Sequence, residues 1–331
     1  MIITRTPFRI SFFGGGTDYP AWYSQHGGAV LSTSIDKYCY ISCRYLPPFF
    51  EHKHRIVYSK IENVLNNHEI EHPAVKAIFD WAKVTRGLEI HHDGDLPARS
   101  GLGSSSSFTV GLIHALCALN GEQISKRVLA DSALHVEQNL IGEHVGSQDQ
   151  ISAAFGGFNR INFSTSGHWD VEPMILSLER QNQLKQHLML FFTGTTRLAN
   201  EIAKSQIDNF SKHESSLNKI QLMVDNAIKI LINNNASIEE FGSLLDESWQ
   251  LKRTLSNLVS NGSIDQIYAL AKKNGAIGGK ILGAGGGGFM LIFAPPNRQE
   301  KIRFVLKNLI EVAFDFDRDG SKVVLYQPSG L

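Results

Sequence analysis

The sequence has little cysteine, no net charge, no long apolar run and no internal repeat. Three cysteines in 331 residues, Cys39, Cys43 and Cys117, are too few for a disulfide framework and suit a reducing compartment. Cys39 and Cys43 fall on one face of an expected strand, "KYCYISCRY". With no second Cys/His pair at ligand spacing, they read as core rather than metal ligands. Lysine plus arginine equals aspartate plus glutamate at 32 each, so no overall field recruits nucleic acid or an acidic membrane. No apolar stretch reaches membrane-spanning length, and "MIITRTPFRI" has no signal-peptide core. These absences point to a cytoplasmic protein. What remains is a chain 42% hydrophobic and 19% charged, long enough for two domains with cores of their own.

The first half alternates strand patterns, glycine turns and helices, with "RISFF", "GGAVLSTSI" and "RIVYSK" as strands. From about Thr193 to Trp249 the pattern is mostly helical, and "LNKIQLMVDNAIKILI" is its clearest amphipathic run. The end returns to mixed structure, with a helix near "EKIRFVLKNLIEVA" and a final strand "SKVVLYQ". An α+β protein of two lobes is expected, dividing at residues 170 and 171.

Several motifs fail on inspection. Gly283, Gly285 and Gly288 spell G-x-G-x-x-G, but a strand-like "FMLIFA" follows where a dinucleotide fingerprint needs a helix. "DFDRDG" starts like a calcium loop, yet its twelfth position is Tyr326, so a hairpin turn through Asp319-Gly320 is expected instead. His91-His92 has no companion ligands at useful spacing.

"PARSGLGSSSS", Pro97 to Ser107, is different. A flexible linker is one reading of its composition, and an anion cradle is the other. Upstream, Leu88, Ile90 and His92 alternate with polar residues as a strand does. Downstream, Phe108, Leu112, Ile113, Leu116 and Leu119 recur at helical spacing until Asn120-Gly121. Strand, glycine turn and a serine-rich helix start put free N–H groups and the positive helix end at one point. The cradle is the better fit.

Two carboxylates accompany it. Glu137 falls along the apolar stripe of Leu129, Ala133, Val136 and Leu140, where a charge needs a partner or a cation. A salt-bridged core glutamate and a functional ligand fit that position equally. Asp149 lies in the polar, glycine-rich "GEHVGSQDQISAAFGG". A cradle, a carboxylate for a cation and a second carboxylate for a proton are what phosphoryl transfer requires. Magnesium suits a carboxylate, a serine hydroxyl and phosphate oxygens.

"PARSGLGSSSS" resembles the phosphate loop of the GHMP kinases, which include galactokinase, homoserine kinase, mevalonate kinase and phosphomevalonate kinase. "TPFRISFFGGGTDYP" is similar to that family's N-terminal motif, "GSQDQ" to its catalytic-aspartate segment and "KILGAGGGGFML" to its C-terminal glycine motif. The resemblance implies a ribosomal-S5-like N-terminal lobe, residues 1–170, a ferredoxin-like C-terminal lobe, residues 171–331, and a site between them. It implies Asp149 as general base with Arg9 beside it, and Glu137 and Ser105 as magnesium ligands. Pro97, Ser100, Gly101, Leu102, Gly103, Ser104, Ser105 and Ser106 would wrap ATP. Asp18, Gly15, Gly16, Gly285, Gly286 and Gly287 would face the acceptor.

Within the family, "GGGTD", "FFTGTTRLA" and "SWQLKR" resemble the heptose 7-phosphate kinases, whose product leads to nucleotide-activated heptose for surface polysaccharide. Galactokinases have Glu-His where this chain has Gly15-Gly16. A fucokinase-like or galactokinase-like sugar-1-kinase is the alternative, and a non-catalytic sensor of sugar and ATP on the same fold is a further one. Arg44, Lys53, Arg55 and Arg197 are candidates to hold a sugar phosphate. The expected partner is a small sugar phosphate rather than nucleic acid or membrane, and the expected state is a monomer or homodimer.

Overall fold

β-Branched and aromatic residues fill β1 (Ile2–Phe13), which pairs antiparallel with the long β2 (Gly28–Tyr45), on either side of α1 (Pro20–His26). Next come β3 (His54–Val57), β4 (Ile61–Val64), α2 (Pro73–Trp81) and β5 (Leu88–Gly94). α3 (Ser104–Leu119), α4 (Lys126–Leu134), a π-helical turn (His135–Ile141) and α5 (Gln148–Phe155) lead to β6 (Phe158–Phe163) and β7 (Trp169–Pro173). The second half runs α6 (Leu178–Gln186), β8 (Leu188–Phe192), α7 (Ala199–Ile207), α8 (Glu214–Ile232), α9 (Glu239–Thr254) and α10 (Gly262–Lys273). β9 (Gly278–Ile281), β10 (Phe289–Phe293), α11 (Pro296–Val305), β11 (Ile310–Glu311), β12 (Phe316–Asp317) and β13 (Lys322–Tyr326) complete it. This computed structural model describes residues 1–194 and 199–329.

The described residues form two sheets. One has nine strands in the order β13-β1-β2-β5-β3-β4, with β6 and β12 also on β2 and β7 on β6. The other is four-stranded, β11-β8-β10-β9. α3 and α5 pack on β1 and β2, while α8 and α9 reach β1 from the second half of the chain. The end of β1 is therefore buried on both faces, and Phe8, Ile10, Phe12 and Phe13 join the core. Arg9 sits within that run.

Three expectations change. β12 and β13 do not form a hairpin through Asp319-Gly320, because β12 pairs with β2 and β13 with β1. The last strand thus returns to the sheet of the first lobe, and β7 spans the division drawn at residues 170 and 171. The helix expected over "EKIRFVLKNLIEVA" stops at Val305, and Ile310–Glu311 form an edge strand beside β8. Among the described residues no helix is long and apolar enough to cross a membrane.

Candidate active site

The glycine turn and its helix form as the sequence indicates. β5 ends at Gly94 and α3 starts at Ser104, with Gly103 as N-cap at φ +78°. Pro97 stands exposed on the approach, whereas Ser100 and Leu102 are buried. Main-chain bonds fasten the turn: Phe289 N–H donates to Ser100 O at 3.1 Å, and Arg9 N–H to Leu102 O at 3.0 Å. Gly101, at φ +82°, could not carry a side chain, since a Cβ there would lie 2.4 Å from Leu282 O. Glycine at Gly288 serves the same approach, since a Cβ there would lie 2.2 Å from Ser100 O. The C-terminal glycine run therefore braces the turn.

Beside this turn a cavity of about 240 Å³ opens between the two halves of the chain. Gly101, Gly103, Ser104, Ser105 and Ser106 line one side, and Arg9, Asp149, Asp18, Gly15 and Gly16 another. Gly285, Gly286 and Gly287 do not line it. Gly286 instead donates its N–H to Val259 O at 2.8 Å, and Gly283 and Ala284 form the wall.

Arg9 and Asp149 make the central contact. The guanidinium donates to both carboxylate oxygens at 2.8 Å, and its third nitrogen donates to Gly101 O at 2.6 Å. A planar fork holding a carboxylate fixes its direction as well as its charge. Arg9 is almost wholly buried, while the Asp149 side chain keeps 26% of its surface open to the cavity. Its oxygens retain lone pairs for a hydroxyl donor.

Asp18 is buried against the same cavity. It accepts from Gly16 N–H at 3.0 Å and from the Gln148 amide at 2.9 Å, and burial holds its pKa above the ordinary range. Gly15 lines the cavity, and a Cβ there would meet only Ser11 Oγ and Gln148 Nε2, at 3.8 and 3.9 Å.

Glu137 lies behind the serines. It does not line the cavity, but accepts from Ser106 Oγ at 2.9 Å and from the Gln150 amide. The residue bonded to it is thus Ser106, and Ser105 stands exposed at the cavity. The π-helical turn re-registers the stripe read from the sequence, turning Glu137 inward and Leu140 outward. Glu137 has no cationic side chain paired with it among the described residues, so the salt-bridged core reading does not hold. Its Oε1 is buried without a hydrogen bond, and burial pushes the carboxyl up to about 7. A carboxylate so placed, with serine hydroxyls in front of it, fits a hard dication.

That environment makes a prediction. In chelator-treated protein, the stability contributed by the raised pKa is present below about pH 4.5 and is lost as pH rises through about 7. Glu137→Gln removes that loss, so its melting temperature should gain on wild type between pH 5 and pH 8. The same variant should need more magnesium for half-maximal rate. Unchanged magnesium dependence with a lower melting temperature at both pH values would make Glu137 a structural partner only.

Other candidates lie elsewhere. Arg44 and Arg55 pair with Glu89 on the first sheet, and neither they nor Lys53 line the cavity. Arg197 lies outside the described residues. Sequence reading missed Lys252 and Lys280, both buried and both lining the cavity, although "SWQLKR" and "KILGAGGGGFML" contain them.

Comparison with known proteins gives the family. The family model for the GHMP kinases N terminal domain matches residues 68–157, and the GHMP kinases C terminal model matches 224–311. D-glycero-alpha-D-manno-heptose 7-phosphate kinase of Campylobacter jejuni is 30% identical, over 97% of this chain and 98% of that protein. The bifunctional fucokinase/GDP-fucose pyrophosphorylase of Arabidopsis thaliana is 26% identical over 94% of this chain but only 31% of its own length. Among solved structures, a D-glycero-D-manno-heptose 1-phosphate kinase from Bacteriodes thetaiotaomicron superposes with a TM-score of 0.79 at 22% identity. That alignment covers 97% of this chain and 98% of the other. The two sheets, the braced glycine turn and these matches lead to one assignment: the chain belongs to the GHMP kinases, a family of ATP-dependent small-molecule kinases.

Proposed function

We propose that this kinase phosphorylates the anomeric hydroxyl of D-glycero-D-manno-heptose 7-phosphate, giving the 1,7-bisphosphate. The observation that carries the phosphoryl-transfer step is the Arg9–Asp149 fork, fastened through Gly101 to the glycine turn. The turn, Gly101 to Ser106, holds the triphosphate against its N–H groups at the start of α3. Asp149 accepts a hydrogen bond from the acceptor hydroxyl and takes its proton. The hydroxyl oxygen bonds to the terminal phosphorus as the bond from that phosphorus to the bridging oxygen of ADP breaks. Arg9 keeps Asp149 in line for that transfer. Glu137, with Ser105 or Ser106, would hold magnesium, which supplies charge neutralisation at the phosphate oxygens.

The acceptor assignment is supported by the Campylobacter jejuni relative, 30% identical over 97% of this chain, and by the unhindered cavity wall at Gly15. That wall leaves room for the exocyclic carbons of a heptose, and Asp18 is poised for a ring hydroxyl. The reaction fits a cytoplasmic step ahead of nucleotide activation of the sugar. A fucokinase-like activity is the second reading, favoured by the relative from Arabidopsis.

The test is the identity of the product. With ATP, magnesium and heptose 7-phosphate, phosphorus NMR should show ADP and a second sugar phosphorus coupled to the anomeric proton. A new phosphate on any other carbon, or none, would reject this acceptor or this hydroxyl.

A further inference from the structure

Two lysines in the cavity have no role in the phosphoryl transfer just described. Lys252 of α9 and Lys280 of β9 are 7% and 3% exposed, and both line the cavity. Each ammonium reaches one main-chain carbonyl: Lys252 donates to Gly283 O, and Lys280 to Phe12 O at 2.8 Å. Neither makes an ion pair among the described residues. An ammonium has three donors, so each lysine keeps two beyond its carbonyl. Ser11, which precedes Phe12 in β1, also lines the cavity, and its buried hydroxyl has no partner. Buried cations are seldom left without an anion.

Their neighbours sharpen the point. Arg9 is spent on Asp149 and Gly101, and Asp149 is held at both oxygens by that fork. Asp18, the other acid on this wall, is bonded to Gly16 and Gln148. Asp18 and Asp149 favour the charged form of Lys252, and Asp18 that of Lys280, but Arg9 opposes them and neither lysine makes an ion pair with either acid. Burial brings Lys252 down to about 8 and Lys280 well below the usual lysine range, and the charge of Lys252 lowers Lys280 further. A ligand that restores both charges must be an anion with several acceptor oxygens.

We infer that Lys252 and Lys280, with Ser11, form a phosphate-binding subsite of the cavity. Lys252 binds the carbonyl of Gly283, whose Cβ position lies 2.6 Å from Gly101 Cα, so the subsite adjoins the glycine turn. Lys280 bonds across to β1 and so faces the wall that holds Asp18 and Gly15. The shared chemistry is a phosphoryl group. Its source is either the terminal phosphate of the nucleotide or a phosphate already on the acceptor. The inference rests on reading this cavity as the transfer site, and goes beyond it in assigning two cations that this reading leaves idle.

The experiment measures binding by calorimetry on wild type, Lys252→Gln and Lys280→Gln. Gln removes the charge and keeps an N–H for the carbonyl. One arm compares the imido analogue of ATP with ADP; the other compares heptose 7-phosphate with the unphosphorylated heptose. At least one variant should lose about tenfold affinity for the phosphate-bearing member of one pair, with its counterpart changed less than twofold. A loss in the first arm assigns the subsite to the transferred group, and a loss in the second to the acceptor phosphate.

A wild-type measurement covers variants that fail to fold. Protein labelled with carbon-13 at lysine Cε should show two signals that titrate abnormally low and that move with the phosphate-bearing ligand but not with its counterpart. If wild type ignores heptose 7-phosphate while the first arm changes, the acceptor reading fails and the subsite stands. If neither arm changes more than twofold and neither signal moves, the subsite is overturned.

Discussion

Asp149→Asn is expected to lower kcat by roughly two to four orders of magnitude, while an ATP analogue binds within about threefold of wild type. Asp149 is the carboxylate on the cavity wall whose direction is set by a buried arginine, and although it lies beside Gly103, its hydrogen bonds run to Arg9 and not to the glycine turn. Asn keeps the shape and one acceptor oxygen, so the cavity survives. It presents an amide where Arg9 expects a second acceptor, and it cannot take a proton from the substrate hydroxyl. Both quantities should be measured on one preparation. Turnover near wild type would remove Asp149 from the reaction.

Arg9→Lys is expected to cost about a hundredfold in kcat, although the charge is retained. Lysine cannot span both oxygens of Asp149 and Gly101 O at once, so the carboxylate loses its fixed direction. Because the two residues act as a unit, the double variant with Asp149→Asn should fall within about threefold of Asp149→Asn alone. Independent losses that multiply would mean that Arg9 acts directly on the phosphate. A lower melting temperature with normal kcat would make the fork a structural ion pair.

Local pattern carried much of this site into view. The strand before "PARSGLGSSSS", the helix after it and the strand after the C-terminal glycine run all depend on residues a few positions apart, and all formed. The pairing of β13 with β1 was not legible in the same way, because it joins residues more than three hundred positions apart and no turn signals it. Asp319-Gly320 looked like a hairpin for the same reason: local turn chemistry was present, but both flanking strands found partners in the first lobe. Glu137 was recognised as inward by its apolar neighbours, yet the π-helical turn that points it at Ser106 has no local signature. Nothing in the local pattern singles out Lys252 or Lys280. Burial comes from α9 packing on β9 and β1 and from Lys280 reaching Phe12 O of β1.

The proposed acceptor, a phosphorylated heptose, stands or falls on one comparison of rates. Gly15 and Gly16 contribute no side chain beside Asp18, so these two positions offer neither an acid nor an imidazole to a hexose hydroxyl stripped of water. A distal phosphate provides binding energy that can fix the anomeric hydroxyl beside Asp149. The measurement is kcat/KM for D-glycero-D-manno-heptose 7-phosphate against the same heptose without its phosphate, with galactose, fucose and mevalonate alongside. The phosphorylated heptose should lead the unphosphorylated sugar by about a hundredfold, with the other three lower still. A free hexose, or mevalonate, that equals or exceeds it would contradict the acceptor assignment.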